Sequence, residues 1–194
     1  MSLSILNLDK SFGKKQIFKS FSFTFPDNGI YSISGDSGVG KTTLLRMIAG
    51  LDRDYSGEIL GGGLENVAFV FQEYRLFPTL SAIENVIIPN GDIKDESLKR
   101  KAENLLSALD FKESDFDADI SELSGGMKQR ISIVRAFLSK APILLLDEPS
   151  KELDPGIRKK LCEIIIEYAK SRLIILVSHH REDIDALAAI DIKI

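Results

Sequence analysis

Apolar residues fall along this chain in three patterns, and each predicts a different kind of element. Near the start, Leu3, Ile5, Leu6 and Leu8 read as one strand, and Phe21, Phe23 and Phe25, alternating with Ser22 and Thr24, read as a second. A turn at Gly13-Lys14-Lys15 makes the pair antiparallel. Pro26-Asp27-Asn28-Gly29 is a turn into the short strand Ile30-Tyr31-Ser32-Ile33-Ser34. Leu44, Leu45, Ile48 and Ala49 then recur at helical spacing until Gly50 ends the helix. Ser56-Gly57-Glu58-Ile59 and the Gly61-Gly62-Gly63 turn continue the β layer, and residues 66–71 read as a buried strand ending at Gln72.

From Phe77 to about Ala141 the spacing becomes helical. Leu98, Ala102, Leu105, Leu106 and Leu109 mark the apolar face of one helix, with Lys99, Arg100, Lys101 and Glu103 opposite. A second helix begins after Ser124 and runs through Ile131, Val134, Phe137 and Leu138. Residues 143–146 and 173–177 are unbroken apolar runs, the mark of central parallel strands covered on both faces. Residues 156–170 between them are predicted helical, and Ile190, Ile192 and Ile194 alternate as a closing strand. The expectation is a single α/β domain over 1–194, with a core of residues 1–76 and 142–194 and an inserted helical subdomain at 77–141.

Composition narrows the class. A chain of 194 residues with 44% hydrophobic and 28% charged residues can bury a proper core. The net charge of -4 argues against a general nucleic-acid binder, so no nucleic-acid partner is expected. One cysteine, Cys162, rules out an intrachain disulfide and suits a reducing cytosol. No apolar run approaches the length of a membrane span, and the opening Met1-Ser2-Leu3-Ser4 lacks the features of a signal peptide. Membrane contact is therefore expected only through a partner.

The chemistry begins at Gly35-Asp36-Ser37-Gly38-Val39-Gly40-Lys41-Thr42-Thr43, which fits G-x-x-x-x-G-K-[ST] between a predicted strand and a predicted helix. Glycines at 35, 38 and 40 let the backbone curl its N–H groups around an anion, and the helix start aims its positive end at the same point. Lys41 offers a charge to the β- and γ-phosphates, the Thr42 hydroxyl is a hard oxygen suited to Mg²⁺, and Thr43 adds a hydroxyl toward the α-phosphate. This makes the expected fold that of a P-loop NTPase with a mostly parallel central sheet, an N-terminal antiparallel β layer and an inserted α-helical subdomain. Asp147-Glu148 ends a predicted central strand, where Asp147 suits the metal's hydration shell and Glu148 suits polarising a water. Leu123-Ser124-Gly125-Gly126 repeats the logic of the loop, with a hydroxyl and two glycines at a helix N-terminus ready for an anion.

Taken in order, the phosphate loop, Gln72, the Leu-Ser-Gly-Gly segment, Asp147-Glu148 and His179 resemble the ATP-binding cassette ATPases along nearly the whole chain. The resemblance implies that Phe12 stacks on adenine with Ile17 beside it, and that Gln72 reaches Mg²⁺ and the attacking water. It implies that Ser124, Gly125 and Gly126 contact the γ-phosphate held by another protomer, and that His179 hydrogen-bonds the γ-phosphate; His180 reads as a solvated neighbour. The implied partners are a second copy or a homologous ATPase, arranged head to tail, and a transmembrane permease. Residues 73–86 resemble the part of bacterial importer ATPases that receives the permease, closest to cassettes for nitrate, sulfonate or taurine. The implied location is the cytoplasmic face of the membrane, and the chain's end soon after His179 leaves no room for an added regulatory domain. A soluble cassette of a non-transport assembly, in cofactor biogenesis or nucleic-acid maintenance, is the alternative. The chain makes three departures from the family pattern: Phe12 for the usual Tyr, Met127 for Gln, and Lys151-Glu152 ahead of Leu153-Asp154, in a segment that in the family crosses the dimer interface.

Overall fold

A computed structural model describes residues 2–194; Met1 of the opening tetrapeptide lies outside the described residues. Strands β1 (Leu3–Phe12), β2 (Lys15–Phe25) and β4 (Ser56–Leu60) form an antiparallel sheet in the order β2-β1-β4. The alternation in β1 slips once: a register shift between Ile5 and Leu8, with Asn7 at φ 48°, leaves Leu3, Ile5 and Leu8 buried and turns Leu6 outward. Strands β3 (Gly29–Ser34), β5 (Val67–Val70), β6 (Ile143–Asp147), β7 (Leu173–Val177) and β8 (Ile190–Lys193) form a second sheet, ordered β5-β6-β7-β3-β8 with every neighbouring pair parallel.

The unbroken apolar runs are explained by cores on both faces of this parallel sheet. Ile143, Leu145, Leu173, Ile175 and Val177 pack with helix α1 (Lys41–Ile48) and the antiparallel sheet. Leu144, Leu146, Ile174 and Leu176 face the other way, into a core shared with the helical region and α5 (Pro155–Ala169). Two expectations need correcting. Residues 66–71 do not form a buried strand: β5 is an edge strand in which only Val70 is fully buried, and Phe71 lies beyond it, stacked on Phe69 at 4.2 Å. With β6 on one side only, its other edge pairs with no strand among the described residues. In the closing strand, β8 ends at Lys193 and only Ile192 of the three isoleucines is fully buried, although the Ile194 N–H still donates to the Ser34 carbonyl at 3.0 Å.

The helical region holds α2 (Ala82–Ile87), α3 (Glu96–Ala108) and α4 (Gly125–Leu138), with one 3₁₀ turn between the first two and two between the last two. Helix α3 buries Ala102 and Leu106 as its spacing predicts, with Leu109 at its end and the Asp95 carboxylate capping its start. Truncating a buried leucine such as Leu106 to Ala removes roughly 2–5 kcal/mol of stability. Helix α2 lies in the stretch expected to be helical, although six residues are too few for a period to mark it out. It is fixed instead by a capping box: the Ser81 N–H donates to Glu84 at 2.8 Å and the Glu84 N–H donates to the Ser81 hydroxyl at 3.4 Å. Helix α6 (Arg181–Ala186), equally short, was not legible.

Candidate nucleotide site

The carboxyl ends of β3, β6 and β7 open into a cleft of about 660 Å³, the edge at which parallel α/β sheets bind ligands. From β3 the chain enters the Gly35–Gly40 loop with φ of 151° at Gly35, 73° at Gly38 and 121° at Gly40. Gly40 has a second constraint, since a Cβ there would fall 2.4 Å from Ile17 Cγ2. That contact presses the loop onto β2 and brings Ile17 to the cleft wall. Helix α1 starts at Lys41 with no side-chain cap and no acidic residue in its first turn, so its N-terminal donors face the cleft without an internal anion. Lys41 is buried, and its Nζ donates to the carbonyls of Gly35 at 2.7 Å and Asp36 at 3.0 Å. The ammonium is thereby folded back on its own loop, within the same ring of donors that a phosphate would meet.

Of the residues anticipated from sequence, Ser37, Gly38, Gly40, Lys41, Thr42 and Thr43 of the loop and helix line this cleft. So do Phe12 and Ile17 from the antiparallel sheet, and Gln72, Asp147, Glu148 and His179 from the strand ends. Gly35, Asp36 and Val39 shape the loop from behind: a Cβ at Gly35 would meet the Ile194 carbonyl at 2.7 Å and Val39 Cγ1 at 2.9 Å. Phe12 is 53% exposed, with the Lys10 Nζ 4.8 Å from its ring centroid. Lys10 itself is buried and held by Asp52 at 3.0 Å, so one face of the ring is fixed by a cation. Gln72 is exposed beyond the end of β5.

Asp147 and Glu148 are both buried, and burial pushes each carboxyl above its ordinary value. The Thr42 hydroxyl and the charges of Lys41 and Arg46 oppose that rise at Asp147. At Glu148 the opposition comes from His179, whose backbone N–H donates to Oε2 at 3.2 Å. Glu148 has φ 53°, unusual for a side chain of its size, and its own N–H donates to Val177 on β7 at 2.9 Å. Its Oε1 accepts no hydrogen bond among the described residues. A buried carboxylate oxygen without a hydrogen-bond partner, on a residue that lines the cleft, is suited to polarising a water.

Ser124, Gly125 and Gly126 do not line the cleft. They form the start of α4, where the exposed Ser124 hydroxyl accepts from the Met127 N–H at 3.3 Å. Four cleft residues were missed from sequence, one of them Val177 at the end of β7. Lys15 pairs with Phe12 across the hairpin and its Nζ donates to the Gly38 carbonyl at 3.2 Å; a lysine in a turn carries no signal of that. Lys151 lines the cleft as well, and His180, at the N-cap position of α6, is a half-buried lining residue instead of a solvated neighbour.

A parallel sheet with a phosphate-binding loop between β3 and α1, and acidic residues at the end of β6, defines a P-loop nucleotide-binding protein. The profile of the ABC transporter family matches residues 18–151. The chain belongs to that family and is an ATPase. It is 38% identical to the aliphatic sulfonates import ATP-binding protein SsuB of Bacillus licheniformis, over 95% of this chain and 75% of that protein. It is 39% identical to the spermidine/putrescine import ATP-binding protein PotA of Fusobacterium nucleatum, over 82% of this chain and 45% of that one. Its fold is similar to the ATP-binding cassette MJ0796, solved as a dimer with ADP and Pi, with a TM-score of 0.83, 26% identity and coverage of 93% of this chain and 89% of that one.

Proposed function

We propose that the protein energises the import of a small solute by binding and hydrolysing ATP between two copies arranged head to tail, with a separate permease docked on residues 73–86. The observation that carries this reading is the division of the site. The cleft gathers the loop, Lys41, Asp147, Glu148 and His179, while the serine and glycines at the start of α4 stand outside it. The γ-phosphate bound to one copy is therefore clasped by Ser124, Gly125 and Gly126 of the other. The similarity to a dimeric cassette and to import proteins for sulfonates and polyamines supports the same arrangement.

In this mechanism Phe12 and Ile17 hold the base, and the loop N–H groups with Lys41 hold the phosphates. Thr42 in the first turn of α1 and Asp147 at the end of β6 carry hard oxygen ligands, and with Gln72 they fit Mg²⁺, a metal that takes few protein oxygens and completes its shell with phosphates and water. A metal held by these residues would supply charge neutralisation for the β- and γ-phosphates. Glu148 accepts a proton from the attacking water, and His179 donates to the γ-phosphate. Loss of phosphate then removes the charge that holds the two copies together.

The permease surface is prepared by Asn85. Its buried amide accepts from the Phe77 N–H at 2.7 Å and donates to the carbonyls of Phe77, Leu80 and Ser81, at 3.0, 3.1 and 3.0 Å. The loop so held leaves Phe77 48% exposed, an apolar contact for a partner. None of the helices among the described residues is long and apolar enough to cross a membrane, so attachment to the cytoplasmic face runs through the permease. Purifying the tagged chain from detergent-solubilised membranes tests this: a co-purifying protein with several membrane spans is expected. Recovery of the chain without such a partner would overturn the transport role.

A further inference from the structure

The Lys151-Glu152 departure places a carboxylate on the start of α4. A Cβ on residue 125 would fall 2.0 Å from Glu152 Oε2 and 2.8 Å from the Tyr74 hydroxyl oxygen. A Cβ on residue 126 would fall 2.7 Å from the Glu152 carbonyl. Both glycines are therefore closed in by one acidic residue, and the Tyr74 hydroxyl hydrogen-bonds its carboxylate. Helix α4 has no acidic residue in its own first turn. Glu152 supplies an anion there from the loop after β6, on the positive end of the helix.

The contact also joins two parts of the molecule. Tyr74 is anchored to α4, its carbonyl accepting from the Ser132 hydroxyl at 2.7 Å and from the Arg135 guanidinium at 3.2 Å. Glu152 belongs to the loop between β6 and α5, beside Leu153, which is buried in the core. A hydrogen bond between them ties the helical arm to the sheet. The tie is made two residues beyond Gln72.

We propose that Glu152 is a built-in competitor of the γ-phosphate: held by Tyr74 over Gly125, its carboxylate must leave before a partner's ATP can be clasped, so Glu152 sets the ATP concentration at which two copies close. This rests on the head-to-tail reading given above. A carboxylate held over Gly125 repels a second anion brought to the same helix start, and an exposed glutamate on a loop can swing clear once Tyr74 lets go. The asymmetry of the latch favours the open form without blocking the closed one.

The test measures dimer formation against ATP concentration by sedimentation, in chains that also carry Glu148→Gln to suppress turnover. Glu152→Ala is expected to lower the ATP concentration for half-maximal dimerisation by at least fivefold. Glu152→Gln, which keeps the shape and loses the charge, is expected to lower it by a smaller factor, and Tyr74→Phe to lower it least. An unchanged or higher requirement in both Glu152 variants would overturn the proposal while leaving the dimer itself intact. A Glu148→Gln parent that stays monomeric at saturating ATP would instead remove the head-to-tail reading, and this proposal with it.

Discussion

His179 meets Glu148 twice: its backbone N–H donates to Oε2 at 3.2 Å, and its imidazole Nε2 stands 3.2 Å from Oε1. The first contact fixes the direction of the carboxylate. The second sets the imidazole, on a side chain 68% exposed, beside the oxygen that has no hydrogen-bond partner among the described residues. Glu148→Gln preserves the shape of this pair and removes the base. Turnover is expected to fall by about 10²- to 10⁴-fold, with ATP binding close to that of the parent, as measured by steady-state hydrolysis and nucleotide titration.

Burial raises the Glu148 carboxyl above its ordinary value, against the pull of His179. The reacting form is ionised, so activity falls as pH drops through that raised value, at a higher pH than an exposed glutamate would give. Removing the imidazole with His179→Ala takes away a positive influence and moves the acid limb of the pH–rate profile of residual activity further up. A limb that moves down would contradict the assignment.

The same shifts bear on stability. Asp147 and Glu148 bind protons more readily folded than unfolded, so each favours the fold below its unfolded value and loses that contribution as pH rises through its folded value. At neutral pH the ionised pair opposes folding. Asp147→Asn and Glu148→Gln are therefore expected to raise the melting temperature at pH 7 and to lose that advantage near pH 4, in thermal scans at the two values.

Lys41 trades its two bonds to the Gly35 and Asp36 carbonyls for phosphate oxygens when nucleotide enters. Lys41→Ala removes charge-assisted hydrogen bonds that contribute about 1.5–3 kcal/mol, which is roughly a 10- to 100-fold loss of ATP affinity. Equilibrium titration with a fluorescent ATP analogue reads it directly.

Asn85 offers a contrast between chemistry and coupling. Asn85→Ala strips four hydrogen bonds from residues 77–81, at a cost of about 1–3 kcal/mol for each buried group left unpaired. ATP hydrolysis by the isolated chain should survive better than solute uptake by the assembled transporter, measured in reconstituted vesicles.

Much of this was legible in the sequence because the relevant signals are local. The phosphate loop is a contiguous run between strand and helix, and the apolar runs at β6 and β7 needed no partner to be recognised. The contacts of Lys15, Lys10 and Glu152 were not legible, for a physical reason: each acts through a residue distant in sequence or across a strand pairing. Glu152 lies 27 positions from Gly125 in a chain whose loop after β6 folds back onto α4. The slip at Asn7 and the left-handed Glu148 were hidden in the same way, since both are conformations imposed by neighbours on residues that do not favour them.

The central claim is that ATP joins the loop of one copy to the α4 start of another. Chains carrying Cys162→Ala and Glu148→Gln, with either Ser37→Cys or Ser124→Cys added, can be mixed and treated with a short bifunctional thiol reagent with and without ATP. A cross-linked dimer that forms in the mixture only with ATP, and in neither variant alone, is the predicted result. Cross-linking within each variant by itself, or none in the mixture at saturating ATP, would contradict it.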